Sequence, residues 1–238
     1  MNKILLIIPA YNEEESILNT YKEIVNYKTK NKYDVIVIND GSKDNTLKIL
    51  KDNKIPHISL LSNLGIGGAV QTGYKYANEN NYDIAIQYDA DGQHDIKYVD
   101  ELIEEITKGS DFVIGSRYID SNLDGFKSTK SRRIGINIIS LAIKIRAKKK
   151  IYDTTSGFRA GNKRVIKLFS ENYPTEYPEP ITNMILLKER YKVVEIPVKM
   201  RSRDGGVSSI RAWKNLYYML NVLISILLVS YKGGNINE

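Results

Sequence analysis

Five short apolar runs alternate with amphipathic segments through the first half of the chain, and this alternation restricts the fold more than any other feature. Lys3 to Pro9, Asp34 to Asn39, His57 to Leu61, Tyr82 to Tyr88 and Asp111 to Gly115 read as strands. Asn12 to Tyr27, Asn45 to Asp52, Gly67 to Asn80 and Ile96 to Lys108 carry helical periodicity between them. Runs that are apolar throughout, rather than at alternate positions, belong to strands covered on both faces. With helices between them, they imply a mostly parallel sheet. Ligands of such sheets bind at the carboxyl ends of the strands. Three polar clusters fall at those ends: Pro9-Ala10-Tyr11-Asn12-Glu13, Asp40-Gly41-Ser42, and Asp89-Ala90-Asp91-Gly92-Gln93-His94. Three such turns on one rim are expected to form a composite site.

Asp89 and Asp91 are the most chemically specific residues of that rim. Two carboxylates one residue apart at the mouth of a buried strand suit a hard divalent cation, Mg²⁺ or Mn²⁺, whose remaining positions go to phosphate oxygens. The rest of the composition narrows the alternatives. The chain has no cysteine and only two histidines, His57 and His94, so thiolate and His-rich metal sites are excluded. Its net charge of +7 favours anionic partners, whether nucleotides, nucleic acid or an anionic membrane surface. The apolar run Ile4 to Pro9 is too short for a signal h-region and is followed by Glu13-Glu14-Glu15, so cytosolic residence is expected. No clean apolar stretch reaches the roughly 18 residues of a confident transmembrane helix.

Beyond residue 120 the alternation breaks down in the sequence. A basic lead-in, Lys127 to Arg133, opens an apolar segment in which Ile134, Ile138, Leu141 and Ile145 share a helical face, and Arg146 to Lys150 close it with cations. A second segment, Trp213 to Tyr231, holds Leu216, Leu220, Leu223 and Leu227 in register. Both fit either core helices or helices lying in a membrane interface, the latter supported by the basic ends and by Trp213, Tyr217, Tyr218 and Tyr231.

Taken together, Ile7 to Glu13, Val37 to Thr46, Asn63-Leu64-Gly65-Ile66-Gly67-Gly68-Ala69 and Asp89 to His94 resemble the family 2 glycosyltransferases of GT-A fold over roughly residues 3–210. Gly115-Ser116-Arg117-Tyr118, Asp153 to Arg159 and Arg203-Asp204-Gly205-Gly206-Val207-Ser208-Ser209 are most similar to the dolichyl- and polyprenyl-phosphate branch. The implied fold is α/β, a Rossmann-like and mostly parallel sheet flanked by helices, with amphipathic membrane-facing helices in the C-terminal half. A catalytic domain would span 1–210, including an interfacial segment at 127–150, followed by a helix and tail at 211–238.

The resemblance also assigns roles. Pro9, Ala10, Tyr11, Glu13, Asp40, Gly68, Asp89 and Asp91 would bind the nucleotide, with Asp40 accepting hydrogen bonds from base or ribose. Glu13 also suits the first turn of a helix, where an acid favours the dipole. Gly65, Gly67 and Gly68 permit close backbone approach to a phosphate. Asp89, Asp91 and Gln93 would lie against the metal. Arg117, Arg132, Arg133, Arg203 and Ser208 would hold the acceptor phosphate, and the Arg203 loop could close over the site. Asp91, Arg117, Arg203 and Glu179 form the candidate catalytic set. Glu179, between Pro178 and Pro180, would serve as a base only if the acceptor is a sugar hydroxyl. Asp153 could play either the same part or a structural one.

The implied reaction moves a sugar from a UDP- or GDP-sugar to a polyprenyl phosphate on the cytoplasmic membrane face, with inversion. Attachment would be peripheral, helped by a small membrane-protein partner. A family 2 enzyme acting on a sugar hydroxyl and a non-catalytic nucleotide-sugar-binding subunit are the rivals. Nucleic-acid binding is disfavoured, because the cations cluster around apolar helices rather than among exposed aromatics.

Overall fold

The computed structural model describes residues 2–120, 130–201 and 221–228, with the backbone alone for 130–132. The five expected strands form, as β1 (Ile4–Ala10), β2 (Asp34–Asn39), β3 (His57–Ser59), β4 (Ile84–Gln87) and β5 (Phe112–Ser116). Between them lie α1 (Ile17–Asn26), α2 (Thr46–Asp52), α3 (Gly65–Glu79) and α4 (Val99–Thr107), the last preceded by a 3-10 turn at Ile96–Tyr98. α1 starts later than its periodicity suggests. Asn12 sits in the left-handed region (φ 55), and residues 12–14 are bound to the next rim loop: Ser42 Oγ accepts from Asn12 N–H (3.0 Å) and Thr46 Oγ1 from Glu13 N–H (2.8 Å). Glu13 therefore lies ahead of the helix, and its first-turn role does not hold.

The alternation does not end at residue 120. After α5 (Lys130–Ala147) come β6 (Arg159–Asn162), α6 (Lys163–Glu171), α7 (Pro178–Lys188) and β7 (Val193–Pro197). β6 reads Arg-Ala-Gly-Asn, with no apolar run to betray it. α6 carries a helical apolar stripe of Val165, Ile166 and Phe169, and the Asn162 side chain caps it by accepting from the Arg164 and Val165 N–H groups. The seven strands form one sheet in the order β3-β2-β1-β4-β6-β5-β7. Every pairing is parallel except the two made by β6, which runs antiparallel to β4 and β5.

β1 is buried along its whole length, and its alternation divides the core. Ile4, Leu6, Ile8 and Ala10 pack towards α1, α2 and α4 with Ile17, Ile24, Leu50, Leu102 and Ile106. Leu5 and Ile7 face the other way, with Val70, Tyr74, Ile139, Phe169 and Met184 of α3, α5, α6 and α7. Each such fully buried Leu, Ile or Phe side chain contributes about 1.5–3 kcal/mol of transfer free energy.

The face grouping Ile134, Ile138, Leu141 and Ile145 in α5 is real but points outward. Ile134 and Ile145 are 60% and 70% exposed, while Ile136, Ile139 and Ile143 make the inner face. Residues 221–228 are helical and behave likewise: Val222 and Ile226 are buried, and Ile224, Leu227 and Leu228 are exposed. Arg146 Nη2 donates to the Leu227 carbonyl (3.0 Å), joining the two segments. Among the described residues no helix is long and apolar enough to cross a membrane.

Candidate active site

The register of the central strands builds the site. Ala10 of β1 is level with Asn39 of β2, and Ile7 with Gln87 of β4, so Asp40, two residues beyond Ile38, and Asp89, two beyond Gln87, emerge on one rim. β5 ends at Ser116 and delivers Arg117 to that rim. Because β6 runs backwards, with Arg159 opposite Gln87 and Ile114, the loop before it (Asp153 to Phe158) arrives at the same end.

Asp40 is buried and accepts the Leu64 N–H (2.7 Å) through Oδ1, while Asn63 Nδ2 donates to its carbonyl (3.3 Å). Burial raises its carboxyl above the ordinary range, against the pull of the Leu64 and Gly65 amides. The first two rim loops and the Asn63–Gly65 loop are thereby joined in one wall. Tyr11 is exposed beside it. Gly68 lies buried in the first turn of α3 against Leu64. At Gly67, the space left by the missing side chain is taken by the chain itself: a Cβ would stand 2.3 Å from the Pro174 carbonyl oxygen and 2.4 Å from that of Thr175. This glycine lets α3 pack on the loop before α7.

The third loop holds its two acids differently. Asp91 is buried, and its Oδ1 accepts the Gln93 N–H (3.0 Å), closing a turn through Gly92 in the left-handed region (φ 72). Asp89 is half-buried, with His94 Nε2 3.0 Å from its Oδ2. His94 itself is buried, stacked on Phe158 (4.8 Å between centroids) and edge-on to Tyr88, which fixes its ring. Burial works to raise the Asp89 carboxyl, but His94, Gln87 and Arg159 together hold it below the ordinary carboxylate range. Gln93 Nε2 donates to the Arg201 carbonyl (3.4 Å) and Arg201 N–H to the Gln93 carbonyl (2.9 Å). The chain after β7 is thus tied to this turn immediately before residue 202. Arg203 and Ser208 lie outside the described residues, as does the Arg132 side chain.

Gly157 faces Asp89. A Cβ there would lie 2.6 Å from Asp89 Oδ2 and 2.7 Å from Oδ1, so only glycine admits the carboxylate in this position. Gly157→Ala is expected to push Asp89 aside and reduce transfer about 10–100-fold, as loss of groups orienting metal ligands does. A variant with unchanged kcat and unchanged half-saturating Mn²⁺ would rule out that role for Gly157.

Arg117 is already engaged. Its Nε and Nη2 donate to Asp153 Oδ2 (2.6 Å) and Oδ1 (2.7 Å), with Thr155 Oγ1 also accepting from Nη2 (2.9 Å). Tyr118 carries the Arg117 guanidinium 5.2 Å from its ring centroid and that of exposed Arg133 at 4.8 Å, so these two arginines are brought together. Glu179 occupies the first turn of α7, behind Tyr177 in the left-handed region (φ 50). Burial raises its carboxyl, partly offset by Arg159, while Asp89 raises it and Arg117 lowers it. The proline-flanked acid thus shares the electrostatic environment of the rim.

From its place in the motif His94 could support the acid pair or be structural, and the structure sets it against Asp89; Arg159 and Gly157 have no role that the sequence alone assigns. For Arg159 the available signal was an arginine inside Phe158-Arg159-Ala160-Gly161, a stretch otherwise built to be buried.

The profile of Glycosyl transferase family 2 matches residues 5–169. The chain belongs to this family. Among family 2 relatives it is 34% identical over 217 residues to the UDP-N-acetylglucosamine–dolichyl-phosphate N-acetylglucosaminyltransferase of Methanococcus voltae, covering 82% of this chain and 84% of that one. It is 28% identical over 217 residues to the undecaprenyl-phosphate mannosyltransferase of Micrococcus luteus, covering 87% and 86%. Its fold is that of glucosyl-3-phosphoglycerate synthase from Mycobacterium tuberculosis, solved with Mn²⁺, UDP and glucosyl-3-phosphoglycerate: TM-score 0.68, 18% identity, 95% and 79% coverage. The family 2 assignment makes the chain a glycosyltransferase of GT-A fold, as its motifs imply.

Proposed function

We propose that this glycosyltransferase moves a sugar from a nucleoside-diphosphate sugar, UDP- or GDP-linked, to the phosphate of a polyprenyl phosphate. The observation that carries the reading is the meeting on one rim of the Asp89–Asp91 pair with a basic group formed by Arg117 and Arg133 across Tyr118. Acids for a metal–diphosphate thus face cations for a second phosphate. The names of the Methanococcus and Micrococcus relatives support the same acceptor class.

Asp40 and the Pro9–Glu13 loop would hold base and ribose. Asp89 and Asp91 would hold a divalent cation, Mg²⁺ or Mn²⁺, against the diphosphate of the donor. When bound, that cation neutralises charge on the leaving diphosphate. A phosphate oxygen of the lipid attacks the anomeric carbon, the bond to the diphosphate breaks with its electron pair, and the configuration inverts. A phosphate monoester has its second pKa near about 6 and is mostly dianionic at neutral pH, so this attack needs no base.

The outward apolar faces of α5 and the 221–228 helix, with Lys144, Arg146 and Lys148–Lys150 beside them, suit peripheral attachment to an anionic bilayer on its cytoplasmic side. A small membrane-protein partner would complete the attachment.

A second reading, transfer to a sugar hydroxyl, is favoured by the raised Glu179 carboxyl, since a general base works best with its pKa nearer neutrality. The two separate in one assay: release of nucleoside diphosphate from a panel of UDP- and GDP-sugars with Mn²⁺, with and without short-chain polyprenyl phosphate. Release that requires the lipid phosphate is expected, with Glu179→Gln retaining turnover within about tenfold, because a dianionic acceptor leaves little for a general base to supply. Release that the lipid phosphate does not raise, that a sugar acceptor added in its place does raise, and that Glu179→Gln lowers about 10²–10⁴-fold would instead favour the hydroxyl acceptor.

A further inference from the structure

Arg159 is 1% exposed, at the start of β6 in the middle of the sheet. A guanidinium in such a place is expected to be paired with a carboxylate. It is not hydrogen-bonded to one. Nε donates to the Ser156 carbonyl (2.5 Å), Nη1 donates to Thr182 Oγ1 (2.8 Å), and Nη2 has no partner among the described residues.

One bond runs to the loop that abuts Asp89, the other to the helix that carries Glu179. Ser156 precedes Gly157, whose bare Cα makes room for the Asp89 carboxylate. Thr182 Oγ1 donates in turn to the carbonyls of Pro178 (2.7 Å) and Glu179 (3.0 Å), the first turn of α7. The Arg159 charge also lowers both Asp89 and Glu179 through space. One buried side chain therefore links the loop under Asp89 to the helix that presents Glu179, and supplies positive charge between two acids that would otherwise repel.

We propose that Arg159 is a positioning residue: it fixes the loop that abuts Asp89 and the first turn of α7 relative to one another. The consequence for turnover rests on the transfer reading above, whereas the tie itself is measurable without it. Denaturant unfolding of Arg159→Met, Thr182→Val and the double variant tests the tie, because Thr182 Oγ1 is the atom through which Arg159 reaches the first turn of α7. The expected result is a marked loss of stability for Arg159→Met that is clearly smaller in the Thr182→Val background. Additive losses would overturn the proposal. If Arg159→Met does not fold, Arg159→Lys takes its place in the cycle; it keeps the charge and loses the fork.

For turnover, Arg159→Lys is expected to lower kcat about 10–100-fold with the donor KM within about twofold, as loss of a group orienting site carboxylates does. A folded Arg159→Lys with the parent kcat would also overturn it. Should the unaltered protein release no nucleoside diphosphate from any donor, the transfer reading fails, and the stability cycle still decides whether Arg159 holds the two segments together.

Discussion

Asp91→Asn is expected to abolish useful turnover while leaving the fold intact. The substitution keeps the side chain's size and the oxygen that accepts the Gln93 N–H, so the turn through Gly92 survives. It removes one of the two charges available to hold a divalent cation against the diphosphate. Charge neutralisation of that kind is worth several kcal/mol in a transition state, which corresponds to a loss of about 10³-fold in kcat/KM. Donor binding in the presence of Mn²⁺ should weaken as well, and the midpoint of thermal unfolding without metal should stay close to that of the parent. The measurement is nucleoside diphosphate release at saturating Mn²⁺. Activity within tenfold of the parent would show that the cation, if used, is not held by Asp91.

The half of the fold that carries this acid pair was legible because its strands are buried on both faces. Ile4 to Pro9 and Ile84 to Tyr88 can be little else than interior strands, and their ends place the rim loops without further information. The other half was hidden for physical reasons. β6 lies between two strands whose side chains already fill the core, so it needs little apolar bulk of its own. Ala160 and Gly161 suffice, and a Cβ on Gly161 would stand 2.7 Å from Val165 Cγ1. Its reversed direction depends on pairing partners some 75 and 45 residues away in sequence, which no local pattern records. The site divides in the same way. Asp40, Asp89 and Asp91 follow from strand ends, and His94 meets Asp89 within their own loop, whereas the roles of Gly157 and Arg159 arise only when the loop before β6 is laid against β4. α5 is a different case: the helical period was readable, but periodicity cannot say which of two apolar faces turns inward. Ile136, Ile139 and Ile143 won that place.

The largest effect on stability is expected from Asp153→Asn. Asp153 is wholly buried and accepts from Arg117 at three nitrogens: the backbone N–H (3.1 Å), Nε (2.6 Å) and Nη2 (2.7 Å). Its own N–H donates to Glu195 Oε1 (2.8 Å), which anchors the turn to β7. The amide removes the charge and strands a guanidinium whose side chain is only 8% exposed. Removing one partner of a buried pair costs about 3–5 kcal/mol, more than the loss of the hydrogen bonds alone. Denaturant unfolding measures the cost, and a loss below about 1 kcal/mol would place the pair among surface bridges of little consequence.

The same contact sets a pH dependence. Burial opposes ionisation of Asp153, but the bonds and charge of Arg117 outweigh it and hold the carboxyl below its ordinary value of 3.8. A carboxyl lowered by folding stabilises the native state fully above its unfolded-chain pKa and loses that contribution as pH falls through the depressed folded value. The parent should therefore lose this stability only in strong acid, below about pH 4. In Asp153→Asn that part of the acid sensitivity disappears while stability at neutral pH is already reduced, so the two unfolding curves converge as pH falls. Parallel curves from pH 7 to the acid limit would mean that folding leaves the Asp153 carboxyl unshifted, and that the Arg117 contact does not favour its ionised form. Convergence would leave Arg117 fixed on Asp153, with Arg133 on the same Tyr118 ring beside it.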